Sequence, residues 1–274
     1  MTNSVNIALL QSRAVLRLAG ADRFSFLQNL ISQDLKLVEG EKPIFTALLT
    51  PQGKYLFDFF VLPEGEDYLL DVEAGRSDEL VKLLTRYRLR ANTTVSPALE
   101  FSVYAIWGGT FSHPAAFVDP RLAALGQRLL AKNIQTNADE AAYAEHRYEL
   151  GVAEGSHEIS VGHASLAEVN FDALNGVSFE KGCYMGQELT ARMHYRGLVK
   201  KRYLPFRFEG LPPRKLGLIL HNGFEVGEIK VVGQEHGLGL FHLEATQPFL
   251  KGEMLIHDGT TYEISMPDYL KEAI

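Results

Sequence analysis

The sequence has one cysteine among its 274 residues, and its nine histidines form no His-Glu-x-x-His pair or comparable ligand spacing. A single thiol excludes an internal disulfide and the four-ligand Cys and His patterns of structural zinc sites. We therefore predict no resident metal. Because a chain without disulfides is typical of a reducing compartment, we expect a cytoplasmic protein.

Long apolar runs and an excess of positive charge are also missing. No stretch of about eighteen apolar residues occurs, and Arg13 and Arg17 interrupt the apolar character of residues 1–18, so neither a membrane span nor a secretory signal is predicted. The net charge of -7 disfavours a protein that coats nucleic acid. We expect no membrane contact, no direct nucleic-acid partner and a monomer.

Hydrophobic periodicity predicts a mixed α and β chain up to Gly197. The predicted strands are 14–18, 45–50, 55–62, 68–72 and 101–107, and the predicted helices are 22–31, 77–90, 119–130 and 138–148. Pro51-Gln52-Gly53-Lys54 suits the turn of a hairpin. Beyond Gly197, short β-rich runs with tight-turn pairs between them predict a small antiparallel barrel or sandwich.

The lone cysteine lies in Lys181-Gly182-Cys183-Tyr184-Met185-Gly186-Gln187-Glu188. Lys181 places a cation two residues before the thiol, and the residues after Gly186 are helix formers, so a helix N-terminus is expected nearby. Both effects favour the thiolate. The alternative is that Cys183 is a small buried hydrophobic residue, but its context favours functional use.

A basic run surrounds this segment in an otherwise acidic chain. It consists of Lys181, Arg192, Arg196, Lys200, Lys201 and Arg202, and Glu188 alone opposes it between 181 and 202. The run could bind an anionic tail such as polyglutamate, a phosphate or an acidic partner. Alternatively, it is the solvated face of a helix.

Two carboxylates are further candidates. Glu149 in Arg147-Tyr148-Glu149-Leu150-Gly151, if on a strand, could accept two hydrogen bonds from the edge of a pterin ring, or it is an ordinary surface residue. Asp58 lies in an apolar run. It is either the outward-facing residue of a half-buried strand, which the pattern favours, or a carboxylate in a cleft.

The segment from Lys181 to Glu188, preceded by Asn175-Gly-Val-Ser-Phe179, resembles the signature of the YgfZ family of folate-binding proteins. These proteins are relatives of the glycine-cleavage T-protein, an aminomethyltransferase. Weaker similarities occur in the family's order. They are Leu18–Asp22 with Phe26-Leu27-Gln28, Leu48–Lys54, Asp119–Arg121 with Leu125-Gly126, Arg147–Gly151, and Arg192 with Arg196-Gly197.

The resemblance implies an α+β, T-protein-like fold with two interleaved α/β units around a central folate pocket and a C-terminal antiparallel β-barrel. The expected units are 1–45 with 98–198, then 46–97, then the barrel at 199–274. The implied function is that of a tetrahydrofolate-binding factor for iron-sulfur cluster assembly or repair, with an indirect effect on tRNA modification. The alternative is a tetrahydrofolate-dependent aminomethyl or one-carbon transferase, so whether the chain is an enzyme stays open, with a non-enzymatic factor favoured.

The resemblance also implies roles for individual residues. Cys183 would contact a cluster, a persulfide or a partner thiol, the partner being an assembly protein or a 4Fe-4S client enzyme. Glu149 would contact the pterin and Tyr143 would offer a stacking ring, whereas a second aromatic position of the family is Arg13 here. The glutamyl tail would be met by Arg192, Arg196 or Lys200, and Lys181 is a further candidate for binding the cofactor. T-proteins carry an Asp-Asp pair where this chain has Phe57-Asp58, so Asp58 is the candidate of the transferase alternative.

Overall fold

The structure is a computed structural model that describes residues 5–40, 42–197 and 199–271. The predicted outer limits at 1, 198 and 274 lie outside these residues. Its strands are β1 (Asn6–Leu9), β2 (Arg13–Ala19), β3 (Ile44–Leu49), β4 (Tyr55–Glu64), β5 (Asp67–Glu73), β6 (Thr94–Pro97), β7 (Ser102–Trp107), β8 (Ala116–Val118), β9 (Gln127–Ala131), β10 (Lys201–Gly210), β11 (Leu218–His221), β12 (Phe224–Val232), β13 (His236–His242), β14 (Leu255–His257) and β15 (Thr260–Ile264). Its α-helices are α1 (Arg23–Gln28), α2 (Lys36–Glu39), α3 (Ser77–Arg88), α4 (Glu140–Glu149), α5 (Gln187–Arg196), α6 (Leu243–Leu250) and α7 (Asp268–Lys271), and short 3-10 turns cover Ala74–Arg76 and Ala123–Leu125.

The strands form three antiparallel sheets. Their orders are β1-β7-β9-β8, β3-β4-β5-β2-β6 and β11-β12-β13-β10-β15-β14. The predicted hairpin is confirmed as β3 and β4, which pair with Leu48 opposite Phe57, and the Lys54 carbonyl accepts from the Thr50 amide at 2.8 Å. The third sheet, with an apolar core of its own, is the predicted barrel region.

Strand pairing divides the chain differently from the predicted units. Strand β2 pairs with β5 and β6, and β3 pairs with β4, so residues 13–97 share one sheet. Residues 6–9 belong with β7 to β9. Strands from both parts of the predicted first unit, residues 1–45 and 98–198, therefore share a sheet, whereas β2 lies in the sheet of the predicted second unit. Cross-strand hydrogen bonding decides this grouping, and it cannot be seen in the periodicity of a single strand.

The predicted helix 119–130 is wrong. Residues 116–118 and 127–131 are strands, with only a 3-10 turn between them. Gly126 has φ +88°, and a side chain there would meet the Ile106 carbonyl oxygen at 2.1 Å. The chain therefore turns tightly, and β9 pairs with β7 on one side and β8 on the other, so its backbone groups are satisfied within the sheet.

The helix predicted from Asp22 is shorter than expected. It ends at Gln28, because Ile31 forms a bridge with Leu48 of β3. Asp22 occupies the N-cap position, but its carboxylate accepts from the Asn92 amide at 2.7 Å and not from the helix. Among the described residues, no helix is both long and apolar enough to cross a membrane.

Candidate functional site

A cluster of buried charges fills the space between the first two sheets. We call it the central charge cluster, and it comprises Arg13, Arg121, Arg128 and Arg147 with Asp58, Asp71, Asp119, Glu154 and Glu158. Strand alternation places Arg13 of β2, Asp71 of β5 and Arg128 of β9 on inward-facing positions. Asp71 accepts from Arg13 Nε at 2.7 Å and from Arg128 Nη2 at 2.6 Å. Each guanidinium thus enters the interior with a carboxylate partner, as a buried charge requires.

Aromatic rings and a shared glutamate complete the central charge cluster. The guanidinium carbons of Arg121 and Arg128 lie 4.9 and 4.1 Å from the centroid of the Phe60 ring. Glu154 accepts from Arg121 Nη1 at 2.7 Å and from Arg128 Nη1 at 3.2 Å. Burial raises the pKa of Glu154, but Arg128, Arg121 and Arg13 outweigh burial and hold that pKa well below its ordinary value. Glu154 is therefore ionised in the folded protein.

Asp58 lies inside the central charge cluster, so the favoured prediction of an outward-facing residue is wrong. It is 2% exposed because β4 is covered on both faces. Its Oδ1 accepts from the Tyr55 hydroxyl and from the Gly155 amide, while Oδ2 has no hydrogen-bond partner among the residues that the structure describes and lies 3.8 Å from Arg13 Nη1. Burial is the largest influence on Asp58 and raises its pKa despite Arg13. This carboxylate is held by the protein and has no free face toward solvent.

Of the two residues predicted for the pterin, one is exposed at the surface and the other is buried in the core. Glu149 is exposed at the last position of α4, not on a strand, because Arg147 and Tyr148 occupy the inward face of that turn. Tyr143 is 1% exposed, and its ring packs against Trp107 with centroids 5.3 Å apart. The interior carboxylates are instead Glu154 and Glu158, which the sequence pattern did not single out.

A cavity of about 170 Å³ opens beside the central charge cluster, lined among others by Arg13, Arg147, Glu154 and Glu158. Small-molecule sites are usually about 300–1,000 Å³. The cavity is smaller than this range, and four carboxylates in the lining, which also includes Glu73 and Glu140, disfavour a glutamyl tail there. Tetrahydrofolate binding stays a prediction that these residues do not support.

Cys183 is exposed at the surface, which contradicts the alternative of a buried hydrophobic residue. It lies on residues 178–185, which we call the thiol loop. Helix α5 follows as predicted, with Gly186 at its N-cap. The amides of Ser178 and Met185 donate to the carbonyls of Ser32 and Asn29 at 3.0 and 3.1 Å, so both ends of the thiol loop are bonded to residues 28–33, the 28–33 turn.

The sequence predicted that Lys181 faces the thiol or a ligand, and this prediction is wrong. The residue is 8% exposed, and its Nζ donates to the carbonyls of Gln28, Ile31 and Gln33 at 2.7, 2.8 and 2.9 Å. Burial lowers its pKa to about 8. All three ammonium hydrogens are used within the protein, because the lysine side chain reaches back under the thiol loop to the 28–33 turn.

Gly186 is the residue at which the cysteine signature contacts the hairpin turn of residues 50–54. Its φ is +80°, and a Cβ there would lie 2.5 Å from the Thr50 carbonyl oxygen and 3.1 Å from Gly53 Cα. A Cβ on Gly53, which has φ +82°, would lie 2.7 Å from the Gly186 oxygen. Two backbones touch here, and only glycine permits both the approach and the left-handed conformation.

The basic run divides into two groups. Arg202 is buried and pairs with Asp172 at 2.9 Å, and Lys201 pairs with Glu225 at 3.0 Å. Arg192, Arg196 and Lys200 are exposed at and beyond α5. These three residues keep the basic character next to the thiol loop. Among the described residues, no group of three or more His, Cys, Asp or Glu side chains is arranged to hold a metal ion.

The chain is similar in sequence to iron-sulfur cluster assembly factors. The human protein named "Iron-sulfur cluster assembly factor IBA57, mitochondrial" is 31% identical over 95% of this chain and 84% of its own length. The mouse protein of the same name is 32% identical over 86% of this chain and 77% of its own. This chain belongs to the IBA57 family. A Pyricularia oryzae homologue of IBA57 is 36% identical over 72% of this chain, but the match spans only 56% of that longer protein.

Two further comparisons concern the fold of this IBA57 relative. Residues 200–272 match the family model described as the C-terminal beta-barrel domain of CAF17. The glycine cleavage system aminomethyltransferase T from Bartonella henselae superposes with a TM-score of 0.67 over 97% of this chain and 86% of its own, at 12% identity. The predicted T-protein-like α+β fold with a C-terminal barrel is confirmed.

The prediction of a cytoplasmic protein is wrong. The relatives from human, mouse and Pyricularia oryzae are all named as mitochondrial. The inference failed because a lone cysteine indicates the absence of disulfides and not which reducing compartment holds the protein.

Proposed function

We propose that this protein is an iron-sulfur cluster assembly factor in which Cys183 supplies one thiolate ligand to a cluster shared with a partner protein. The observation that carries the proposal is the position of the thiol. The chain's only cysteine is exposed, on a loop whose two ends are hydrogen-bonded to the 28–33 turn. The names of the relatives, which are iron-sulfur cluster assembly factors, support it.

One thiol is too few for a complete cluster site. Clusters are normally held by four cysteine thiolates, and no other residue of this chain can supply one. The remaining ligands must come from another molecule, so the cluster is cargo that this protein holds together with an assembly protein or a client enzyme. A protein that offers one ligand can promote transfer, because it competes for a single coordination position and leaves the others with the donor.

The exposed cations beside the thiol loop suit such a partner. Arg192, Arg196 and Lys200 lie on the same segment of a chain whose net charge is -7. A thiolate-ligated cluster and an acidic partner surface are both anionic, so these cations favour their approach. Any effect on tRNA modification would be indirect, through 4Fe-4S enzymes that depend on assembly.

The proposal assigns no reaction to the central charge cluster. An aminomethyl transferase would need a carboxylate that meets its substrate, whereas Asp58 is buried and bonded to Tyr55 and Gly155. Folate is likewise given no role in the proposed mechanism, since the cavity beside the central charge cluster is about 170 Å³ and is lined by four carboxylates.

The test is complementation of cells that lack the wild-type protein, with aconitase activity and tRNA methylthiolation as readouts. We expect Cys183→Ala to lose both activities. Gly182→Ala is the matched control, since a Cβ at Gly182 meets nothing within 4 Å, and it should complement. Full complementation by Cys183→Ala would overturn the role of the thiol.

A further inference from the structure

We propose that Lys181 is the positioning residue of the Cys183 thiol, and that it acts by binding its ammonium group to three carbonyl oxygens of the 28–33 turn. The use made of the thiol rests on the function proposed above, whereas the positioning itself rests only on geometry. Lys181 and Gln28 are 153 residues apart in sequence, so the contact joins two distant segments.

The carbonyls of Gln28, Ile31 and Gln33 converge on one nitrogen, at 2.7 to 2.9 Å. Gln28 is the last residue of α1, where carbonyl oxygens lack partners within the helix and carry partial negative charge. An ammonium group has three donors, and these three acceptors use all of them. A neutral side chain in its place would leave three inward-facing carbonyls without this partner, which is costly.

The ring of Tyr184 also lies close to the ammonium group. Its ring centroid is 5.1 Å from Lys181 Nζ, and Tyr184 is 7% exposed. Gly182 and Cys183, between these two inward-facing residues, are both exposed. The side chains of Lys181 and Tyr184 therefore meet beneath the two residues that project, and Cys183 stands at the apex.

The two ends of the thiol loop are bonded through the amides of Ser178 and Met185. Between them, the described backbone of residues 179–184 makes no hydrogen bond to the 28–33 turn. The Lys181 ammonium supplies the polar attachment for this middle part. Without it the thiol would keep its exposure and lose its fixed direction.

The geometry calls for lysine and not only for a positive charge. A compact ammonium group directs its hydrogens to three surrounding points, whereas a guanidinium group is a planar fork. We therefore expect Lys181→Arg to behave as a defective variant although the charge is conserved.

The single cysteine allows a direct test, because a nitroxide label attaches only at Cys183 in the full-length protein. We expect a restricted spectrum for the wild-type chain and a dominant mobile component for Lys181→Ala and Lys181→Arg. Glu180→Gln, a one-unit charge change at the exposed neighbouring position, is the matched control and should keep the wild-type spectrum.

Chemical rescue separates hydrogen bonding from general loosening. Methylammonium ions should restore the restricted spectrum of Lys181→Ala, because they can donate to the vacated carbonyls. Tetramethylammonium, with the same charge and no N–H donor, should not. Unchanged mobility in Lys181→Ala, or a mobile label that methylammonium does not restrict, would overturn the proposal.

Two further measurements keep the result interpretable. If Lys181→Ala fails to fold by circular dichroism, Lys181→Met, which keeps the length of the side chain, takes its place. If the label responds as expected but Cys183→Ala complements fully in cells, the positioning stands and the proposed function fails.

Discussion

The central charge cluster and the thiol loop both bury cations, but they neutralise them differently. In the centre, four guanidinium groups face carboxylates, so charge cancels charge and little space is left. Under the thiol loop, one ammonium group is held by uncharged carbonyls, and the two residues that follow the lysine, Gly182 and Cys183, remain exposed. A fold shared with an aminomethyltransferase therefore does not by itself assign that enzyme's reaction to these buried charges.

The largest effect on the free energy of unfolding is expected from removing a charged group of the central charge cluster. Arg128 is fully buried between Asp71 and Glu154, so Arg128→Met leaves carboxylates without a partner. We expect the free energy of unfolding to fall by about 3–5 kcal/mol, as for other broken buried pairs. Chemical denaturation measures it. Arg86→Met, at an exposed position of α3, is the control and should change stability by no more than about 0.5 kcal/mol. Equal effects of the two variants would contradict a structural role for the cluster.

Acid should destabilise the central charge cluster by protonating Glu154. Its pKa lies below the ordinary value of 4.5 in the folded protein, so ionised Glu154 contributes stability at neutral pH. That contribution is lost as the pH falls below 4.5 and through the folded-state pKa. We expect the free energy of unfolding of the wild-type chain to fall over this range more steeply than that of Glu154→Gln. Chemical denaturation at a series of pH values measures both. If the free energy of unfolding fell equally steeply with decreasing pH in the two chains, this role of Glu154 would be contradicted.

A smaller effect is expected where the thiol loop meets the hairpin. Gly186→Ala places a Cβ 2.5 Å from the Thr50 oxygen at φ +80°. The strained conformation alone should cost about 1–3 kcal/mol, and the clash adds to it. Thermal unfolding measures the loss, with Gly182→Ala as the control in open space. A Gly186→Ala variant as stable as this control would show that the contact is not tight.

The smallest effect on stability is expected at Cys183 itself. Its side chain is exposed, so Cys183→Ser should change the free energy of unfolding by no more than about 0.5 kcal/mol. The same variant should lose the ability to form a cluster-bridged complex with a loaded donor protein, followed by the visible absorption of the cluster during gel filtration. A destabilised variant, or one that still forms the complex, would remove the contrast between the two regions.

Local pattern predicted much of the fold. The hairpin of β3 and β4, helices α3 and α4, the helix after Gly186 and the barrel strands follow from short-range periodicity and turn residues. The prediction of a helix at 119–130 was wrong, although Leu122, Leu125 and Leu129 recur at helical spacing. Pairing of β9 with β7 overrode that preference, and a single sequence does not show such pairing.

The site was predicted in part for the same reason. Cys183 stood out because its signature is contiguous in the sequence. The central charge cluster was missed, since Arg128 and Asp71 are 57 residues apart and become partners only when two sheets meet. Glu149 was chosen because it matches the family's Arg-x-Glu-x-Gly pattern, and that local pattern did not show that the residue ends α4 on its exposed side.

The contact between Gly53 and Gly186 also sets the order in which these segments can fold. The 28–33 turn and the hairpin turn leave the ribosome long before the thiol loop is made, and the loop can bond to them only after they have formed. Long-range contacts of this kind form late in folding. A chain that has not completed its sheets therefore carries its only thiol on a segment that is not yet attached, and the thiol gains its fixed position only when folding is complete.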